Sequence, residues 1–166
     1  MNEKLKNLLK GKLNGDEVSI EGKATIKEED PETGEVVSKE TFSNVLVQDG
    51  AQKLAKYVSG DAPTDVEWMA VGDGATAGNS PSGTESALEN ELSRSSAITP
   101  SVSGETVTWS NTFSATEGNG SLSEMGMFDD SASASGTMLS YVIFSDTKDN
   151  ANNDLTIEYN LTFNYG

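Results

Sequence analysis

Three glycines and an aspartate follow an apolar run in WMAVGDGATAG, residues 68–78, and raise the question of a phosphate-binding loop. A dinucleotide-binding loop needs G-x-G-x-x-G followed by a helix. Here the third glycine, Gly78, falls one residue late, and the next residues, NSPSGTES, have loop character. The other common phosphate loop needs Gly-Lys-Ser/Thr, yet no lysine occurs between residues 57 and 147. We therefore interpret this stretch as a strand that enters a glycine-rich loop.

Histidine and cysteine are both absent from the 166 residues. The usual general base and the commonest metal ligand are therefore missing, and disulfides, thiolate metal sites and cysteine nucleophiles are excluded. Paired carboxylates can hydrolyse glycosides, but the spacing of the 27 acidic residues selects no particular pair. We expect neither enzymatic activity nor a cofactor.

Acidic clusters raise the question of a calcium site. Counted from Asp149, the stretch DNANNDLTIE has Ala151 at the third position and Asp154 at the sixth, where an EF-hand loop needs an oxygen ligand and a glycine. Asp129 and Asp130 in MFDDS could contribute to an irregular cation site. Solvated turns are the favoured interpretation of all four aspartates, so we expect no metal.

Most of the chain has the pattern of strands. Residues 15–47 predict a long hairpin with a turn at EDPETGE, and residues 66–166 contain several short strands between polar turns. The clearest is DLTIEYNLTF, residues 154–163, which alternates apolar and polar side chains. TMLSYVIFS, residues 137–145, is apolar on both faces and predicts a central strand. Residues 15–166 thus predict a mainly β domain, a jelly-roll-like antiparallel β-sandwich with one short helix.

The predicted helix covers residues 48–60, QDGAQKLAKYVSG. We expect Asp49 to be its N-cap and Gly60 to end it. Its predicted apolar face consists of Ala51, Leu54, Ala55 and Val58.

The N-terminal residues 1–14 predict a basic docking arm. Four lysines against one glutamate give residues 1–13 a formal charge of +3. Leucines at helical spacing predict an amphipathic helix. It either packs on its own domain or frays in solution, or it docks on a partner with an acidic surface, and we favour docking. The expected docking residues are Lys4, Leu5, Leu8, Leu9, Lys12 and Leu13.

The net charge of −16 comes from 27 acidic and 11 basic residues. A chain this acidic repels nucleic acid, so we expect no nucleic-acid partner. Hydrated carboxylates also suit solution at high salt, which makes a halophilic source one interpretation and an ordinary acidic surface the other. No stretch is apolar enough to span a membrane, and the N-terminus lacks the apolar core of a signal peptide.

The order of motifs from residue 68 onward resembles a known group. WMAVGDGATAG is followed by TESALENELSRSS, GNGSLSEMGMFDDSASASGTMLSYVIF and DLTIEYNLTF. This order resembles virion proteins of tailed viruses, of phages or haloarchaeal viruses, in which an AVGxGxTA turn precedes a TALxxELxR segment. The EMGMFD and GTML motifs are similar to the N-terminal collar domain of some phage tail fibres. The resemblance implies an exterior virion protein, present in several copies with cyclic symmetry.

Packing explains the residues of these motifs without catalysis. Leu88 and Leu92 are four residues apart and predict a short helical turn pinned to the body. Arg94, the single arginine, is expected to pair with Glu89 or Glu91 or with a neighbouring subunit.

The predicted position of the protein in the particle follows from the end of the sequence. The chain ends at Gly166, directly after the last predicted strand, which favours a capsid decoration or vertex turret protein whose arm faces other virion proteins. The alternative is a tail-fibre or baseplate adaptor. An alternative of another class is a carbohydrate-binding or carbohydrate-cleaving surface protein that recognises host surface glycans, because jelly-roll folds often bind sugars.

Overall fold

Eleven strands and one helix make up the described part of the chain. The structure, a computed structural model, describes residues 12–13, 16–61 and 63–165. The helix α1 is Gln48–Ser59. The strands are β1 (Lys12–Leu13), β2 (Asp16–Glu29), β3 (Val36–Ser43), β4 (Val45–Leu46), β5 (Trp68–Gly72), β6 (Glu91–Arg94), β7 (Ser101–Ser103), β8 (Thr106–Phe113), β9 (Ser121–Phe128), β10 (Met138–Asp149) and β11 (Asp154–Tyr165).

The strands form two antiparallel sheets that pack against each other. The first sheet has six strands in the order β1-β2-β11-β8-β7, with β3 also paired to β2. The second sheet has five strands in the order β4-β10-β9-β5-β6. The mainly β sandwich with one short helix is thereby confirmed for the described residues, whereas the jelly-roll topology stays a prediction.

Strand β11 occupies the middle of the first sheet. It pairs with β2 from Asp154↔Glu29 to Tyr165↔Val18 and with β8 from Leu155↔Phe113 to Thr162↔Thr106. Its alternate side chains behave as the sequence predicts, because the apolar ones face the core, with Phe163 only partly buried, and the polar ones face outward. The buried set is Leu155, Ile157, Tyr159 and Leu161.

The chain passes from one sheet to the other at Asn44. The predicted hairpin forms between β2 and β3, and β4 then joins the second sheet through β10. The Asn44 amide Nδ2 donates a hydrogen bond of 2.6 Å to Tyr159 Oη, and the Asn44 backbone N–H donates to Gly22 O. A Cβ atom at Gly22 would overlap the Asn44 side chain. Glycine at position 22 therefore leaves room for the Asn44 side chain where the chain crosses over.

The second sheet is buried on both faces. Its inner face contributes Met69, Val71 and Met125 to the core between the sheets. Its outer face contributes to a second apolar cluster. This arrangement explains why β10 is apolar on both faces, as the sequence predicts for a central strand. The second cluster consists of Val47, Ala70, Leu88, Phe128, Met138 and Tyr141.

Helix α1 begins at Gln48, as predicted, but its N-cap lies two residues before the predicted one. Val47 is the N-cap and offers no side-chain hydrogen bond, while Asp49 lies in the first turn, so the prediction that Asp49 is the N-cap is wrong. The reason is tertiary, since the Val47 and Gln48 N–H groups bond to Leu139 O and Gly83 O and fix the entry. The helix ends at Gly60, whose φ of 77° is left-handed, as predicted.

The apolar face of α1 also differs from the prediction. Val58 is 76% exposed, whereas Lys53 is buried. Ala51 is buried as expected, and Leu54 packs against the core between the sheets. The helix buries its first half, so apolar residues in its last turn remain in solvent.

The predicted arm lies mostly outside the described residues. Lys4, Leu5, Leu8 and Leu9 belong to residues 1–11, which the structure does not describe. Lys12 and Leu13 pair with Glu17 and Asp16 as a strand, so a helix that extends to Leu13 is wrong. The division into an arm at 1–14 and a domain at 15–166 stays a prediction. Among the described residues, none of the helices has the length and hydropathy to cross a membrane.

Candidate functional site

The glycine-rich loop closes against the segment that precedes β6. Strand β5 ends at Gly72, and Cβ atoms at Gly72 and Gly74 would overlap backbone atoms of Asn90. The Asp73 N–H donates to Asn90 O, and the Asn90 side-chain amide donates to Asp73 Oδ1 at 2.6 Å. These glycines are therefore required by close backbone approach.

A buried carboxylate, Glu124 of β9, holds both segments. Its oxygens accept hydrogen bonds of 3.0 Å from the backbone N–H groups of Gly74, Glu89 and Asn90. The Tyr141 hydroxyl donates a fourth bond of 2.5 Å. The side chain is fully buried, so the four donors take the place of water.

This geometry answers the question of phosphate binding. The amide groups of Gly74 and Asn90 that could contact an anion already bind Glu124. A carboxylate behind the loop would also repel a phosphate group. Burial and the adjacent Glu124 raise the pKa of Tyr141 far above its ordinary value, so the phenol stays a neutral donor. The glycine loop is thus a structural joint.

Arg94 connects β6 to the loop between β9 and β10. Its guanidinium makes a bidentate ion pair with Glu91, with Nε–Oε1 and Nη2–Oε2 distances of 2.8 and 2.7 Å. Nη1 donates to the carbonyl oxygens of Asp130 and Ser135, and the group lies 4.1 Å from the centre of the Phe128 ring. Glu91 is one of the two residues of this chain predicted from the sequence to pair with Arg94.

The segment around Arg94 is a strand. Glu91–Arg94 pairs with β5, so the short helical turn predicted from Leu88 and Leu92 is wrong. Leu88 is buried in the second cluster, whereas Leu92 is 39% exposed. Their spacing of four residues does not reflect one helix face, because the chain turns at the Glu124 contacts between them.

Asp129 is neutralised by a lysine. Lys53 Nζ of α1 lies 2.5 Å from Asp129 Oδ2, and both side chains are buried. Thr64 Oγ1 and the Thr137 N–H also donate to this carboxylate. Burial opposes its ionisation, but the Lys53 ammonium and the Thr137 amide outweigh that effect and lower the pKa of Asp129 below its ordinary value. The pair attaches α1 to the end of β9.

The other aspartates considered as cation ligands accept hydrogen bonds from the protein itself, Asp130 and Asp149 within their own turns and Asp154 from a distant segment. Asp130 accepts from the Ala132 N–H, and Asp154 accepts from the Ala115 N–H. Asp149 accepts from Ala151 and Asn152 within one turn. Across the described ranges, no three acidic side chains are grouped so that they could hold a metal ion.

Asn150 is a structural residue that the sequence analysis missed. It is fully buried. Its Oδ1 accepts a bond of 2.6 Å from the Gly118 N–H, and its Nδ2 donates to three carbonyl oxygens, including Phe113 O and Asn153 O. It lies within the polar run DNANND, and the sequence alone does not show which amide of such a run is buried. Glu124 left a better signal, since it is a charged residue within the apolar strand sequence SLSEMGMF.

Comparisons with known proteins place this architecture in a family. The fold is a two-sheet β-sandwich with one short helix. Residues 38–164 match the family model described as the N-terminal part of phage tail-collar fibre protein. The chain therefore belongs to the phage tail-collar fibre family, has a tail-fibre structural role and is a virion component. Searches of the curated proteins and of the solved structures each found no match.

Proposed function

We propose that this protein is a non-enzymatic tail-fibre or baseplate adaptor. The observation that carries the proposal is the family match over residues 38–164, which extends from β3 into β11 and so includes strands of both sheets, though not β1 and β2. The alternative predicted from the sequence therefore has support, and the capsid-decoration or turret interpretation has none. The buried charged groups are engaged in contacts within the protein, as in Glu124, Arg94 and Lys53. These contacts support a structural role without catalysis.

The position in the particle can be tested on disrupted virions. Heads and tails are separated on a density gradient and analysed by mass spectrometry, with the major capsid protein and the tail-tube protein as markers. We expect this chain in the tail fraction. Its recovery with tail-free heads would contradict the adaptor proposal.

The adaptor is further proposed to bind other virion proteins as a cyclic homo-oligomer. The acidic composition supports assembly at high salt, because salt screens repulsion between copies, and it supports a halophilic host. Light scattering at low and molar salt should show a discrete oligomer at high salt. A monomer in both conditions would exclude self-assembly without the particle. The carbohydrate alternative stays a prediction.

A further inference from the structure

An apolar groove of about 320 Å³ opens between α1 and the first sheet. We call it the end groove. Helix α1 forms one wall, and β8 and β11 form the other. The lining residues that matter most are Leu54, Tyr57, Val107, Trp109, Leu161 and Phe163.

Carboxylates lie at the rim of the end groove. Asp65 and Glu67 line it together with Tyr57, whose hydroxyl donates to Thr64 O and Asp65 Oδ1. Burial, followed by the charges of Asp65, Asp129 and Glu67, raises the pKa of Tyr57 to about 12. The potential at the rim is therefore negative and suits a basic segment.

The N-terminal segment enters the fold at the same end of the sandwich. Phe163, which lines the end groove, pairs with Ile20 near the start of β2. Strand β1 runs antiparallel to β2, with Lys12 opposite Glu17. An extended residue spans about 3.3 Å, so the segment before Lys12 is long enough to reach the groove of the same chain.

The sequence of that segment is complementary to the end groove. Residues 1–11 carry three leucines and three lysines against one glutamate, which gives them a formal charge of +2. We propose that residues 3–11 dock in the end groove of their own chain, with Leu5, Leu8 and Leu9 against the apolar lining and the lysines facing Asp65 and Glu67. This docking does not depend on where the protein lies in the particle.

Zero-length cross-linking tests the proposal on the full chain. A carbodiimide joins a lysine to a carboxylate in direct contact, and peptide mass spectrometry of the monomer band identifies the pairs. We expect cross-links from Lys4, Lys6 or Lys10 to Asp65 or Glu67. The yield should fall with salt, because these contacts are electrostatic and exposed.

Leucine variants distinguish specific binding of the segment in the groove from non-specific electrostatic attraction to the acidic surface. The full chain with Leu5, Leu8 and Leu9 changed to serine keeps every lysine, yet its cross-link yield to Asp65 and Glu67 should fall roughly tenfold or more, because burial of each leucine side chain contributes to binding. On the groove side, Tyr57→Ser should also reduce the yield. The matched control is Val58→Ser, which changes an exposed residue of the same helix outside the groove and should leave the yield unchanged.

Quenching of tryptophan fluorescence by acrylamide gives a second measurement. Trp109 lines the end groove, whereas Trp68 is the second tryptophan of the chain, so both chains carry Trp68→Phe in this measurement. The triple serine variant should then be quenched more readily than its parent, while circular dichroism confirms an intact fold. Three results would overturn the proposal. The first is a set of cross-links spread evenly over the acidic surface, and the second is equal cross-link yield and equal quenching in the parent chain and the serine variant. The third is cross-links confined to a dimer band, which would show that the segment is exchanged between copies.

Discussion

Glu124 illustrates how one side chain can organise two loops that are far apart in sequence. Its hydrogen-bond donors come from residues 74, 89, 90 and 141, so its role depends on the finished fold. An ionised carboxylate accepts on both oxygens and donates nothing, which suits four donors. Glutamine has the same shape but would point an NH₂ group at some of those donors.

We predict that Glu124→Gln lowers the free energy of unfolding by about 2–4 kcal/mol, because buried donors are left without an acceptor. Tyr141→Phe should cost less, about 1–2 kcal/mol, since it removes one bond. Urea denaturation measures both. Glu32→Gln, at an exposed position of the β2–β3 turn, is the control and should stay within about 0.5 kcal/mol of the parent. Equal stability of the Glu124 and Glu32 variants would contradict the proposed joint.

The Lys53–Asp129 pair predicts a pH dependence with a definite sign. The folded pKa of Asp129 is below its ordinary value of 3.8, so the stabilisation is present above about pH 4 and is lost as the pH falls through the folded pKa. Lys53→Met should weaken this pH dependence, because it removes the ammonium that lowers the pKa of Asp129 while the Thr64 and Thr137 donors remain. Between pH 7 and pH 3 that variant should lose less stability than the parent chain, each being compared with the same chain carrying Asp129→Asn. Denaturation midpoints between pH 3 and 7 measure this difference, and equal losses in the parent chain and the Lys53 variant would disprove the assignment.

Among the elements, those with a regular pattern could be predicted from sequence. The alternation in DLTIEYNLTF predicts β11, and the turn EDPETGE predicts the β2–β3 hairpin, because each burial pattern repeats with the period of a strand. Helix α1 was also found, together with its end at Gly60. These features depend on neighbours in the sequence, which a single chain displays directly.

Elements set by distant contacts could not be predicted. The helix start at Val47 depends on Leu139 and Gly83. Strand β6 forms because β5 offers an edge, although the leucine spacing nearby resembles a helix. The site has the same character, since the contacts of Glu124 and the Lys53–Asp129 pair join residues that are many positions apart.

The crossover between the sheets gives a prediction at the level of elements. Gly22→Ala places a methyl group on the Asn44 side chain, so we expect a loss of about 2 kcal/mol or more in the free energy of unfolding. Asn44→Gly in the same chain removes the overlap, and the double variant should recover part of the loss relative to the sum of the single changes. Chemical denaturation of the parent, the two single variants and the double variant gives a double-mutant cycle. Strictly additive changes in the free energy of unfolding would show that the two side-chain positions are not in contact.

At the scale of the whole molecule, the cations are unevenly distributed. Lys53, Arg94 and Lys148 are each buried against a carboxylate, with 3–4% of the side chain exposed. Only 11 basic residues face 27 acidic ones in the whole sequence. The accessible surface therefore has few positive charges to offset its carboxylates, and self-repulsion works against the folded state.

We predict that the protein becomes more stable as salt rises from about 0.05 M to about 1 M, on the order of a few kcal/mol, because the Debye length falls from more than 10 Å to about 3 Å. Thermal unfolding in potassium chloride provides the measurement. A variant with Glu32 and Glu35 changed to glutamine has less charge on an exposed turn and should show a smaller gain. A flat or falling melting temperature would contradict this account.

The central position of β11 has a consequence for biosynthesis. It is the last described strand to be made, yet it separates β2, the first long one, from β8. A ribosome must finish residue 165 before the twelve residue pairs between β2 and β11 can form. Until then, the early hairpin and β8 expose unpaired edges, which are sites of aggregation. Nascent chains of this protein therefore depend on timely completion, and a pause late in translation would prolong the vulnerable state.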